Sequence, residues 1–282
     1  MKRRYHLRKL QHDTLLASYT TEQVLDYMMC PLCYHLKHVQ QLPLPKSFSI
    51  DSHNVYYQEA MYETIRYFYM EMQKKKAPTY KKLCDKFYKS WLEQTDTVDT
   101  MSILTRDLDN ASVSSRSIQS KYVPEGYKVL KQFYIYNQDT KQAILAVNEP
   151  YNIRIADADF SGNFQVIREV LNPSTKLREI QLVEFQLGRI KPALEDLNKN
   201  IELLTMGIGF KEMFKIQPDK FVVYYPAIDE EFILQQQLND YKRTLQTLNA
   251  FRMSVEAIPP YRRPGGHPAS APYADYCEKH QY

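Results

Sequence analysis

The segment from Gln142 to Gly188 most constrains what this chain can fold into. Three consecutive runs, QAILAVNEPYNIRI, ADFSGNFQVIREVL and REIQLVEFQLG, have β-type patterning. Turn signals fall at Glu149–Pro150, at Ser161–Gly162 and in NPSTK. The runs therefore form an antiparallel strand group, and the chain on either side of them has helical spacing.

Upstream, SYTTEQVLDYMMCPLCYHLKHVQ reads as a helix that Thr20 or Thr21 can cap and that Pro31 kinks or restarts. NVYYQEAMYETIRYFYMEMQKKK and TYKKLCDKFYKSWLEQ are two further helices. The polar stretch from TDTVDT to SSRSIQSK reads as a loop, and PEGYKVLKQFYIYN as a helix with Pro124 near its start. Downstream come a helix over PALEDLNKNIELLTMGIGFKEMF, the strand KFVVYYPA, and a long helix over DEEFILQQQLNDYKRTLQTLNAFRMSVEA. This order predicts a mixed α/β fold, a central mixed β-sheet flanked by helices with an N-terminal helical portion. Residues 1–15 are a basic arm and 16–258 the folded domain, helical over 16–137 with the sheet core over 138–258. Residues 259–282 are a Pro/Gly-rich tail.

Charge is unevenly placed. The formal net charge is +4, yet Lys2, Arg3, Arg4, Arg8 and Lys9 stand in the first twelve residues with no acid among them. The rest of the chain is close to neutral, so any attraction to phosphates readable from charge sits in that arm. The 23 Tyr suit a core and its rim, and could also supply base-stacking surfaces. No apolar run long enough to be a signal peptide or a membrane span is visible. With 4 Cys in 282 residues, a disulfide scaffold is not expected, which points to a reducing cytoplasm, cellular or that of a virus-infected host.

Within EIQLVEFQLGR, a strand puts Glu184 and Gln186 on one face, with Val183, Phe185 and Leu187 on the other. A carboxylate and an amide two positions apart are candidates for polar chemistry at a strand end. Cys30 and Cys33 in CPLC, with Cys277 and His280 in CEKH, make a Cys3His set of the kind that suits tetrahedral zinc. The alternative is that Cys30 packs in its helix and the tail carries an unliganded thiol. Cys84, in KKLCDKFY, reads as a small core residue.

In the order and spacing of these segments the chain resembles the RecB-like branch of the PD-(D/E)XK nuclease superfamily, from about Ser18 onward. SYTTEQVLDYMMCPLCYHL is similar to that family's opening helix. NVYYQEAMYETI falls where the family has a helix with a metal-binding His, and Gln58 occupies the matching position. VNEPYNIRIADADFSGNFQVI is similar to the strands leading to Gly-x-x-Asp, with Gln165 in place of the Asp. LVEFQLG falls at Asp/Glu-x-Lys, so Glu184 keeps the acid and Gln186 replaces the lysine. Glu202 and Met206 stand where the family has Gln-x-x-x-Tyr.

The resemblance implies a restriction-endonuclease-like core and a role in DNA metabolism. Such nucleases hold Mg²⁺ or Mn²⁺ on carboxylates, with a lysine beside the nucleophile. Here only Glu184 keeps its charge, while Gln58, Gln165 and Gln186 are neutral. The implied function is an inactive nuclease fold serving as a DNA-binding or scaffolding module, with DNA, including single strands, held partly by the basic arm. A protein partner in a replication, recombination or phage-type complex is also implied, and no membrane. Two alternatives stay open. One is an active Mg/Mn-dependent DNase with Glu184 as ligand and Gln186 beside the nucleophile. The other is a protein-interaction module that keeps only the fold.

Overall fold

The computed structural model describes residues 17–42, 52–105, 115–138, 142–234 and 238–257. β1 (Ala17–Thr20) runs into α1 (Thr21–Met29), the single turn α2 (Pro31–Tyr34) and a π-helical turn (His35–Val39). Three long helices follow, α3 (Ser52–Gln73), α4 (Tyr80–Thr105) and α5 (Ser115–Gln138). The chain then enters β2 (Gln142–Ile155), β3 (Ala158–Leu171) and β4 (Arg178–Phe185). It continues through α6 (Leu194–Lys199), α7 (Ile201–Phe214), β5 (Lys220–Tyr225), β6 (Glu230–Leu234) and α8 (Leu238–Ala257).

These strands form a six-stranded mixed sheet in the order β1-β3-β4-β5-β6, with β2 also paired to β3. β2 occupies one edge of β3 along most of its length, from Ile155↔Ala158 to Gln142↔Val170. β1 and β4 therefore share the other edge. β1 takes Ala158–Ser161 in parallel, and β4 takes Val166–Leu171 antiparallel. Between them, residues 162–165 have no strand partner on that edge among the described residues, and the sheet forks there. The strand is irregular at the same level. Phe164 and Ile167 enter one core whereas Val166 enters the other, so the alternation of β3 breaks beside Gln165. In β2, Asn148 lies level with Gln165 and has φ 51°, a left-handed conformation that Asn tolerates better than most side chains.

Helices cover both faces. Val166, Val183, Phe185 and Tyr224 pack under α3, α4 and α5 with Phe68, Tyr69, Phe87, Trp91 and Phe133. Phe160, Phe164, Leu182 and Val223 pack under α1, α7 and α8 with Leu203, Phe210, Leu248 and Phe251. Each such fully buried side chain contributes roughly 1.5–3 kcal/mol of transfer free energy. β4 is buried on both faces, so its pattern is nearly continuous rather than alternating. β5 runs parallel to β4 and needs a crossover, which α6 and α7 supply.

Several expected elements differ in extent. SYTT is not helix but the strand β1, and Thr20 caps α1 through a capping box with Gln23. Pro31 restarts the helix as α2. The polar stretch expected as a loop is helical up to Thr105 and again from Ser115, with Pro124 inside α5 rather than near its start. Glu149–Pro150 and Ser161–Gly162 lie within β2 and β3 instead of in turns. The single helix expected after Pro192 is two, broken at Asn200, whose side chain caps α7. DEEFIL is not part of the last helix, because Glu230–Leu234 pairs with the outer edge of β5. The basic arm and the Pro/Gly-rich tail lie outside the described residues.

Tyr151 ties α7 to the hairpin. A Cβ on Gly209 of α7 would sit 2.5 Å from its ring, and one on Gly162 of β3 would sit 2.4 Å from its hydroxyl. Both positions are glycine because the tyrosine fills the space between helix and sheet. Gly209→Ala should gain up to about 1 kcal/mol of helix propensity yet lose roughly 1–3 kcal/mol to overpacking. Urea denaturation should therefore show a lower midpoint. An unchanged or higher midpoint would mean that α7 does not close on this ring.

Candidate functional site

The fork is where the sequence-predicted polar residues meet. β4 is buried on both faces, and its even-numbered side chains from Leu182 onward turn toward α7, which carries the carboxyl of Glu184 into an interior of low polarity. Glu184 is only 6% exposed. The backbone ladder between β3 and β4 stops at Val166↔Val183. At the next level the side chain of Gln165 takes over from the backbone. Its Oε1 accepts the Phe185 N–H at 2.9 Å, and its Nε2 donates to Glu184 Oε1 and more weakly, at 3.4 Å, to the Phe185 carbonyl. The second carboxyl oxygen of Glu184, Oε2, is buried with no hydrogen-bond partner. Burial holds the Glu184 carboxyl well above the usual carboxylate range, and the nearby charge of Glu202 pushes the same way.

Glu202 comes from the first turn of α7. Asn200 fixes that turn, its Oδ1 accepting the N–H groups of Glu202 at 2.9 Å and Leu203 at 3.1 Å. Burial raises the carboxyl of Glu202, and the charge of Glu22 adds to the effect. Glu22 lies in the first turn of α1, which the Thr20–Gln23 capping box positions directly after β1. Its carboxylate is paired with Lys37 Nζ at 2.7 Å, and the same ammonium reaches Asp26 at 2.8 Å.

The three glutamates line one cavity of about 450 Å³ with Thr20, Tyr151 and Met206. Thr21 lines the same cavity beside Tyr151. A second cavity of about 510 Å³ is lined by Glu59, Tyr62, Arg66, Asn148 and Gln165. Gln165 belongs to both and stands in the fork between them.

The structure thus brings Gln165 and Glu184 into contact and adds Glu202 and Met206 at the same cavity. It does not bring in the other two glutamines. Gln58 is exposed on α3, where Glu59 and Tyr62 line the second cavity instead. Gln186 lies past the end of β4, where its backbone N–H donates to the Tyr224 carbonyl at 3.0 Å. Two acids shortly upstream of Gln165 are engaged elsewhere: Asp157 pairs with Arg252 at 2.5 Å and Asp159 with Arg154 at 3.7 Å. Glu22 and Tyr151 were not singled out from sequence, and Thr20 was read there only as a helix cap.

Cys30 and Cys33 are buried beside Leu32 and Leu36, with Cys30 Sγ accepting the Cys33 N–H at 3.4 Å. Their expected zinc partners, Cys277 and His280, lie outside the described residues, as do Lys2, Arg3, Arg4, Arg8 and Lys9. Among the described residues there is no group of three or more His, Cys, Asp or Glu side chains placed to hold a metal ion. None of the described helices is long and apolar enough to cross a membrane.

The chain matches no known protein-family model and none of the curated proteins with which it was compared.

The protonation of Glu184 has a measurable consequence. Its folded-state carboxyl binds a proton more tightly than its unfolded one, so the folded protein keeps protons that the unfolded chain releases. Stability therefore falls as pH rises from the unfolded value toward the folded one, and above the latter the full cost of a buried charge is felt. Glu184→Gln removes most of this slope and leaves the smaller part due to Glu202. Urea denaturation should give variant and wild type similar stability at about pH 5 and a more stable variant at about pH 8. Equal stabilities at both values would mean that Glu184 is ionised without penalty.

Proposed function

We propose that the protein is a RecB-like, PD-(D/E)XK-type nuclease-fold protein of DNA metabolism that does not cleave DNA and acts as a DNA-binding or scaffolding module. The observation that carries this reading is the engagement of Gln165. A metal ligand at that position must turn an anionic oxygen toward the cation. Gln165 has no charge, and its oxygen is committed to the Phe185 N–H. Its nitrogen is committed to Glu184, which leaves that carboxyl a single unengaged oxygen. One such oxygen is a poor site for Mg²⁺, which is held through carboxylates and phosphates in near-octahedral geometry.

The cavity at the fork is lined by no basic side chain among its described residues, so it offers a phosphate backbone no cation. DNA contact is then the work of the basic arm and of surfaces away from the fork, with the helical layer over α3 to α5 as the scaffold. A structural zinc on Cys30, Cys33, Cys277 and His280 would tie the tail to α2, and metal analysis of freshly purified protein tests it.

Incubation with single- and double-stranded DNA and Mn²⁺ should leave both substrates intact, for wild type and Glu184→Ala alike. DNA binding should weaken with salt, with a log–log slope of about −0.9 per phosphate contact on duplex, and should drop when residues 1–12 are deleted. Metal-dependent degradation that disappears in Glu184→Ala would overturn the reading in favour of an active nuclease. Absence of binding at low salt would favour a protein-interaction module.

A further inference from the structure

The cavity of about 510 Å³ on the other side of Gln165 differs from its neighbour in charge. Glu59, Tyr62, Glu63 and Arg66 line it from α3, at the i, i+3, i+4 and i+7 spacing of one helix face. Glu63 is neutralised by Lys86 at 2.5 Å and also accepts the Ser90 hydroxyl at 2.7 Å. Among the described residues the side chains of Glu59, Arg66 and Asn148 have no hydrogen-bond or ion-pair partner, and all three are exposed to solvent. Ile65 and Val166 are buried and Tyr62 half-buried, which gives the cavity an apolar wall. Asn148 holds a left-handed φ of 51° within β2, a backbone outlier of the kind that gathers at ligand clamps.

We infer that this cavity binds a guanine base, with Arg66 donating to its O6 and N7, Glu59 accepting from its N1–H and 2-amino group, and Tyr62, Ile65 and Val166 against the ring. With Glu63 paired, Glu59 and Arg66 leave the lining without net charge, which disfavours a lone phosphate and a divalent ion alike. Rising 1.5 Å per residue, α3 sets Glu59 and Arg66 about 10 Å apart along its axis, a span that one base with a hydrogen bond at each end can bridge. The two charges of an amino-acid zwitterion lie too close together to do so. Guanine joins an edge of two acceptors to an edge of two donors, and the acceptor edge is the one that a guanidinium prefers. Adenine and cytosine mix one amino donor with acceptors, and thymine has no amino group, so none of them gives both the guanidinium and the carboxylate two bonds. Asn148 adds an amide that can donate and accept at the rim. A guanine in an unpaired DNA strand deepens the DNA-binding reading and rests on it, and a free guanine nucleotide presents the same edges.

Calorimetric titration of the full chain with the four deoxynucleosides, 2′-deoxyinosine, 7-deaza-2′-deoxyguanosine and inorganic phosphate tests the site. Saturable one-to-one binding of deoxyguanosine is expected, roughly tenfold or more tighter than that of the other natural nucleosides, with no binding of phosphate. Deoxyinosine, which lacks the 2-amino group, and the 7-deaza analogue, which lacks N7, should each bind the wild type roughly tenfold more weakly. Glu59→Gln should remove the first difference and Arg66→Ala the second, and circular dichroism confirms that both variants are folded. Equal affinity for all the nucleosides, no binding of deoxyguanosine, or both differences unchanged in the variants would overturn the inference and leave the DNA-binding reading standing. Oligonucleotides then separate the two sources. Tighter binding of an oligothymidine strand that carries one central guanine, with the gain lost in both variants, identifies a DNA strand. Saturation by dGMP without any such gain identifies a free nucleotide. Absence of oligonucleotide binding at low salt while deoxyguanosine still binds would overturn the DNA-binding reading alone.

Discussion

The sharing of one edge of β3 by β1 and β4 is the constraint on which the rest depends. Parallel pairing with β1 and antiparallel pairing with β4 cannot both continue through residues 162–165, so the sheet opens there. An opening in the middle of a sheet exposes backbone donors that must be satisfied. The side chain of Gln165 does this for Phe185, and in doing so it also engages Glu184. A structural requirement of the fork thus commits the one side chain that could otherwise serve as a second polar group beside Glu184.

Around that contact, electrostatics and packing act in opposite directions. β4 lies between two apolar layers, which favours Glu184 as a neutral acid, and Glu202 reinforces the effect from α7. Tyr151 keeps α7 against the hairpin through close approaches at Gly162 and Gly209, and so fixes how near Glu202 comes to the fork. Lys37 is held by Glu22 and Asp26. The site is polar, and among the described residues its inner pair of acids has no partnering cation.

Much of this was legible in the sequence, for reasons that can be named. The three middle strands and β5 are long, β-branched and bounded by turn residues, and the nineteen residues between Gln165 and Glu184 suit a strand, a turn and a return. β1 and β6 were not legible, because four or five residues are too few to establish a period. Each becomes a strand only by pairing with an edge that the rest of the fold provides. The polar ends of α4 and α5 look like loop by composition and are helical in the structure. At the site, Glu184 and Gln165 could be matched through the strand register. Glu22 and Tyr151 reach it only through tertiary packing, and Gln58 stands on the solvent side of α3, between the buried Tyr57 and Ala60.

The most direct test of a polar site without a metal is a carbon-detected NMR titration of the Glu184 carboxyl in protein labelled at glutamate, followed from about pH 4 to about pH 9 with and without Mn²⁺. The account predicts a midpoint well above that of an exposed glutamate, and no line broadening specific to Glu184 on adding Mn²⁺. A midpoint in the ordinary glutamate range, with selective broadening at low Mn²⁺, would contradict it and identify Glu184 as a working metal ligand.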